Sequence, residues 1–132
     1  MLVMKDIVID VSCILEFLLN QEAKNQIIEK VGSAQLVAPQ CLQYEIGNAV
    51  SKLIKRKLIS IVDGVAVYHE FARIPIRFVE PDIPDSIVIA GNTESYAYAS
   101  YYISVAKRLN MPLFTLDETM IKNANSQGVI CL

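Results

Sequence analysis

Two rhythms of apolar residues run along this chain: short β-branched runs, and longer stretches in which apolar side chains recur every third or fourth position. The run Ile7-Val8-Ile9, ending at Asp10, predicts a first strand. From about Ser12 to Val31, Leu15, Leu18, Leu19, Ile27, Ile28 and Val31 fall at helical spacing. They predict one long helix with Ser12 as its N-cap and Gly32 at its C-terminal end. An extended piece from Gln35 to Ala38 leads to Pro39, placed in the first turn of a helix that ends near Lys57. That helix carries Leu42, Ile46, Ala49, Val50 and Leu53 on one stripe.

The second half continues the alternation. A helix is predicted from about Ser60 to Ala72, then an alternating segment from Ile74 to Val79, then a turn marked by Pro81 and Pro84. Two helices follow, about Asp85 to Ala90 and Glu94 to Leu109. Leu113-Phe114-Thr115-Leu116 predicts a buried strand ending at Asp117, followed by a short helix to about Ser126, a turn at Gly128 and a last strand from Val129 to Cys131. Strands that alternate with helices imply a parallel sheet with helices on both faces. With no repeat, linker or low-complexity segment in view, the expectation is one domain spanning residues 1–132, long enough to close a core of its own.

Composition narrows the class. Apolar residues make up 53% and charged residues 20%, which excludes the low-hydrophobicity, high-charge signature of a disordered chain. The apolar stretches at Ile7 to Ile9, Ile14 to Leu19 and Ile87 to Ala90 all stop well short of the roughly 18 residues a membrane span needs. Before Asp6 and Asp10 the start of the chain offers one positive charge, Lys5, and no small-residue cleavage pattern follows, so a cytoplasmic protein is expected. Cys13, Cys41 and Cys131 suit neither a disulfide framework nor paired zinc ligands and are read as buried free thiols. The formal charge of −2 means that a nucleic-acid partner would be held by a local basic cluster or a bridging metal, not by an overall positive field.

Candidate chemistry rests on carboxylates. Asp10 and Asp117 each follow a predicted strand, and in open parallel sheets the carboxyl ends of the strands border the ligand crevice. Taken singly, each would more often be a helix cap or a turn residue. Glu45 lies beside Leu42 and Ala49 at the edge of its helix's apolar stripe, where a charge either snorkels out, pairs with Lys52, or serves a site. Carboxylates brought together repel unless a cation neutralises them, and oxygen-only ligands select Mg2+ or Mn2+. Such an ion polarises a phosphodiester oxygen and activates water, which is the chemistry of phosphodiester hydrolysis.

At these residues the chain resembles the PIN-domain nucleases of the VapC toxin type. The likeness rests on Ile7-Val8-Ile9-Asp10-Val11-Ser12, on Val37-Ala38-Pro39 leading to Tyr44-Glu45-Ile46-Gly47-Asn48-Ala49, and on Leu113-Phe114-Thr115-Leu116-Asp117, in that order over nearly the whole chain. The resemblance implies a three-layer α/β/α PIN-like fold with a central, mainly parallel sheet, and metal-dependent endoribonuclease activity as the toxin of a VapBC-type toxin-antitoxin pair. It implies Asp10, Glu45 and Asp117 as ligands of Mg2+ or Mn2+, with the hydroxyls of Ser12 and Thr115 supporting them and the incoming phosphate, and Asn48 as structural. It also implies an RNA substrate, a cognate VapB-like antitoxin and a homodimer.

The chain departs from that family at one place. The third acid of the family pattern, in a segment like Tyr-Asp-Ala-x-Tyr, falls on Ala99 when Tyr102 takes the last tyrosine, and Glu94, five positions upstream on the same predicted helix, would face elsewhere. A degenerate, non-catalytic PIN domain that binds RNA or a protein partner is therefore the competing expectation. A haloacid-dehalogenase-like phosphatase would need a second Asp where Ser12 stands, and a receiver domain would need an acidic pair where Asp10 is alone.

Other features carry less. Lys52, Lys55, Arg56 and Lys57 follow Glu45 and are read either as RNA phosphate contacts or as solvated charges. Tyr96, Tyr98, Tyr101 and Tyr102 crowd one helix and are expected in the core or a subunit interface, with base stacking as the alternative. His69, in step with Val62, Val65 and Ala66, is expected to be a half-buried packing residue.

Overall fold

The computed structural model of the chain describes residues 6–132. In chain order the elements are β1 (Ile7–Ile9), α1 (Val11–Leu19), α2 (Gln21–Val31), β2 (Leu36–Pro39), α3 (Cys41–Lys55), α4 (Ile61–Ala72), β3 (Ile76–Val79), α5 (Ile83–Asn92), α6 (Ala97–Leu109), β4 (Leu113–Phe114) and α7 (Glu118–Ser126). The four strands form one parallel sheet in the order β3-β2-β1-β4. Val8 pairs with Val37 on one side and Leu113 on the other. Val8, Val37 and Leu113 have no exposed surface, as expected of strands covered on both faces.

Crossovers between parallel strands are right-handed. The moves from β1 to β2 and from β2 to β3 run one way along the sheet, so α1 to α4 cover one face. The move from β3 to β4 runs the other way and puts α5 and α6 on the opposite face, where α6 crosses β1, β2 and β4. α7 joins that side, with Asn123 donating to Ser95 Oγ at 2.7 Å. The result is the three-layer α/β/α sandwich expected from the alternation. Because the chain leaves β1 in one direction and reaches β4 from the other, the order switches at β1, and the carboxyl ends of β1 and β4 are where open α/β sheets place their ligand crevice.

Several boundaries differ from the sequence expectation, each for a local reason. The single helix expected from Ser12 to Val31 is two helices broken at Asn20, whose extended backbone ends α1 while its side chain accepts the Glu22 N–H at 3.0 Å and caps α2. Asp10, not Ser12, is the N-cap of α1. Pro39 closes β2 instead of opening α3, and Pro84 sits inside the first turn of α5, where its missing N–H costs nothing. α6 begins at Ala97 and not Glu94. Beyond Gly128, whose φ of 79° needs a residue without Cβ, the expected last strand is reduced to a single bridge from Cys131 to Leu113.

α4 shows how a periodicity can select the wrong stripe. It bears two apolar faces, and the one that packs on α3 is Gly64, Val67, Tyr68 and Phe71. A Cβ on Gly64 would stand 2.7 Å from Ile54 Cδ1 and 2.9 Å from Val50 Cγ1, so the glycine sets how closely α4 approaches α3. The other face, Val62, Val65, Ala66 and His69, is exposed, which corrects the half-buried reading of His69. Cys13 is buried, whereas Cys41 and Cys131 are partly buried, and all three are free thiols. Among the described residues no helix is long and apolar enough to cross a membrane.

Candidate active site at the carboxyl edge of the sheet

Asp10 follows β1 directly and Asp117 lies three residues beyond β4, so the two carboxylates flank the crevice at the switch point. Asp10 has only 1% of its surface exposed. Its Oδ1 accepts from Ser12 Oγ at 2.7 Å and from the Cys13 N–H at 3.3 Å, and its Oδ2 accepts from Thr115 Oγ1 at 2.7 Å. The same two hydroxyls hold the facing loop, since Ser12 Oγ accepts the Leu116 N–H at 2.9 Å and Thr115 Oγ1 accepts the Asp117 N–H at 3.0 Å. Asp117 caps α7, with Oδ1 accepting from the Thr119 and Met120 N–H groups at 2.9 and 3.1 Å, and its side chain stands at the solvent rim.

Glu45 arrives from α3 on the other side of β1. It does not pair with Lys52; its Oε1 accepts from the Tyr102 hydroxyl on α6 at 2.8 Å, and the Cys41 thiol lies beside it. Tyr102 has no exposed surface. This partner of Glu45 was not singled out from the sequence as such. The signal available was the combination of a carboxylate at the edge of an apolar stripe and a tyrosine on a neighbouring buried helix, since a half-buried carboxylate needs a donor.

Burial pushes the carboxyl of Asp10 above the ordinary range, opposed by the Ser12, Thr115 and Cys13 hydrogen bonds and reinforced by the charge of Asp117. Burial likewise raises Glu45, opposed by Tyr102 and Cys41 and reinforced by Asp10. Burial and the Glu45 charge push the Cys41 thiol up to about 12, and burial drives the Tyr102 phenol higher still, so both remain protonated donors at neutral pH. Asp10 thus feels the charge of Asp117, and Glu45 that of Asp10. They do not form a closed ligand cage: among the described residues no three His, Cys, Asp or Glu side chains are grouped tightly enough to hold one ion.

Each carboxylate nevertheless retains spare acceptor capacity, since a carboxylate offers about four lone-pair sites and Asp10 accepts three hydrogen bonds and Asp117 two. An all-oxygen, partly hydrated donor set of this kind fits Mg2+ or Mn2+, which keep several waters and need only one or two carboxylates. Ala99, where the family pattern has an acid, lies on α6 partly buried against the core. Glu94 is outside α6, so helical rotation does not set where it faces; its carboxylate stands 3.4 Å from Lys122 Nζ, and both side chains are exposed. Lys55, Arg56 and Lys57 are exposed at the far end of α3, about 15 Å or more along the helix from Glu45. That placement favours solvated charges over phosphate contacts at the crevice.

No family model matches the chain. Ribonuclease VapC12 of Mycobacterium tuberculosis is 26% identical to it over 113 residues, covering 84% of this chain and 86% of that protein, in strains CDC 1551 / Oshkosh and H37Rv alike. The chain is thus similar to a VapC ribonuclease over most of its length. Its fold is also that of PAE2754 from Pyrobaculum aerophilum, whose crystal structure superposes with a TM-score of 0.74 over 96% of this chain and 83% of that one at 16% identity. The three-layer fold of this chain is PIN-like, with Asp10 and Asp117 at the switch point between β1 and β4.

Proposed function

We propose that this VapC-like protein hydrolyses RNA phosphodiester bonds with Mg2+ or Mn2+, as the toxin of a VapBC-type toxin-antitoxin pair. The observation that carries the reading is Asp10, a buried carboxylate fixed on both oxygens by Ser12 and Thr115 at the point where the strand order reverses. Folding does not bury a carboxylate there without cost, because desolvation opposes its charge, and a bound cation would offset that cost. When bound, the divalent ion supplies Lewis-acid polarisation of the phosphate and activation of water.

Of Asp10, Glu45 and Asp117, one or two at a time would ligate the ion directly, with waters and the substrate phosphate completing its shell. Ser12 and Thr115 aim Asp10 and oppose its protonation, Tyr102 orients Glu45, and the α7 cap holds Asp117 at the rim. A VapB-like antitoxin is the partner this reading carries with it, and a homodimer the assembly. Exposed aliphatic residues on α4 and α5 (Ile61, Val62, Val65, Ile83, Ile87 and Val88) offer protein-protein contact area. Light scattering that returns a monomer at working concentration removes the dimer.

One observation favours a second reading. Ala99 leaves the crevice one carboxylate short of the family pattern, as a binding-only domain would have it. Calorimetric titration of Mn2+ into the wild type, Asp117→Asn and Ala99→Asp proteins separates the two. Binding by the wild type, lost in Asp117→Asn and tightened in Ala99→Asp, supports the nuclease. No binding by the wild type, gained in Ala99→Asp, supports the binding-only domain.

A further inference from the structure

Away from the carboxylates, an apolar slot of about 310 Å3 lies between α2 and the turn that joins α4 to β3. Ile9 and Ile14, only 1% and 2% exposed, form its inner end, and Phe17, Ile27 and Val31 form its wall. The lining continues to Leu36, the first residue of β2, and to Arg73 and Pro75, just before β3. Arg73 and Pro75 are exposed, so the slot opens at the amino edge of the sheet, opposite the edge where Asp10 and Asp117 stand. Apolar walls that face a void forfeit the dispersion contacts of packed neighbours, a loss that an occupant would relieve.

The chemistry of the lining selects the occupant. Every lining residue but Arg73 is without charge, and those of the inner end and wall are wholly aliphatic or aromatic. A peptide segment drawn inside would bring N–H and C=O groups that find no partners, whereas an alkyl chain needs none. Water gains nothing there for the same reason. At the mouth the backbone of Arg73 is fixed, its N–H donating to the Glu70 carbonyl at 3.1 Å and the Ile74 N–H to the Phe71 carbonyl at 3.0 Å. Among the described residues its guanidinium has no carboxylate partner, which leaves its fork of donors open to an anionic head group. The slot has about twice the volume of a cavity of about 150 Å3 that holds benzene, which scales to a chain of roughly ten carbons.

We propose that this slot binds a medium-chain alkyl carboxylate, with the tail against Ile9, Ile14 and Ile27 and the carboxylate on Arg73. The site stands independently of the phosphodiesterase reading, because none of Asp10, Glu45 and Asp117 lines it. A ligand seated there touches the segment that carries Asp10 from the far side, since Ile9 precedes that residue and the Ile14 N–H donates to its carbonyl at 3.3 Å.

The test titrates hexanoate, octanoate, decanoate, decanol and decylamine into the full chain labelled at its isoleucine methyls and reads their NMR shifts. The expected result is saturable shifts at Ile9, Ile14, Ile27 and Ile74, with Ile83 and Ile87 on α5 unmoved. Affinity should rise about fourfold per added methylene from hexanoate to decanoate, and decylamine should bind more weakly than decanoate. Arg73→Gln should weaken decanoate roughly 3- to 10-fold and leave decanol unchanged. Arg73 is exposed, and an unchanged unfolding midpoint without ligand shows that the variant folds. No saturable shift, or equal shifts at Ile83 and Ile87, overturns the site. Decylamine that binds as tightly as decanoate, or an Arg73→Gln protein that binds decanoate as the wild type does, overturns the assignment of a carboxylate to Arg73.

Discussion

Tyr102→Phe removes one oxygen from the centre of the molecule and tests the coupling between α6 and Glu45. The phenol is fully buried and donates at 2.8 Å to a carboxylate that burial already holds above its ordinary range. Phenylalanine fills almost the same volume, so the cavity contribution is small and the loss is that of the hydrogen bond. A bond to a charged acceptor contributes about 1.5–3 kcal/mol and one to a neutral acceptor about 0.5–1.5 kcal/mol. The penalty should therefore depend on pH. Glu45 has a folded-state value above its unfolded one, so it holds its proton longer in the folded protein, and stability falls as pH rises from the ordinary carboxylate range through the raised value. Without the phenol, which lowers that value, the fall deepens and reaches higher pH. Urea unfolding of both proteins at pH 4 and pH 8, without divalent ions, should give a destabilisation of about 2 kcal/mol at pH 8 and about 1 kcal/mol at pH 4. A loss below about 0.5 kcal/mol at pH 8, or an equal loss at both, would refute the view that Tyr102 serves an ionised Glu45.

Three further outcomes are expected. Asp10→Asn keeps an acceptor for the Cys13 N–H and removes a buried charge whose folded-state value is raised, so it should increase stability at pH 7, flatten the decline with rising pH, and abolish Mn2+ binding by calorimetry; a loss of stability at pH 7 refutes the dominance of desolvation at this residue. Ser100→Ala removes a fully buried hydroxyl that has no partner among the described residues and should stabilise the protein by about 1 kcal/mol in urea unfolding, where a loss of that size would reveal a hidden partner. Gly64→Val should cost at least about 2 kcal/mol by thermal or urea unfolding, because the added atoms meet Val50 and Ile54 at the α3–α4 contact; a neutral result would mean that the two helices separate freely.

Much of this protein was legible in its order of residues. The strands end in Asp10 and near Asp117 because β-branched and apolar runs are local signals, and an Asp after such a run both stops it and caps the next helix. The stripe of α3 predicted Leu42, Ile46 and Val50 as core, and all three are buried. Likewise, the alternation of strands and helices determined a parallel, two-sided sheet, since a parallel crossover needs a helix to return.

What tertiary structure decided is whatever depends on which of two locally equal choices packs better. α4 offered two apolar stripes, and the glycine-led one won because only it lets the helix approach α3. The seven-residue stretch from Tyr96 to Tyr102 offered four aromatic rings, and the fold buried Tyr102 on Glu45 while leaving Tyr96 and Tyr98 exposed. The sequence placed Ser12 and Thr115 103 positions apart, and only the pairing of β1 with β4 brings both hydroxyls onto Asp10. Local chemistry is written in neighbours along the chain. Sites are made between residues that meet only when the sheet closes, and no rhythm of apolar positions records that meeting.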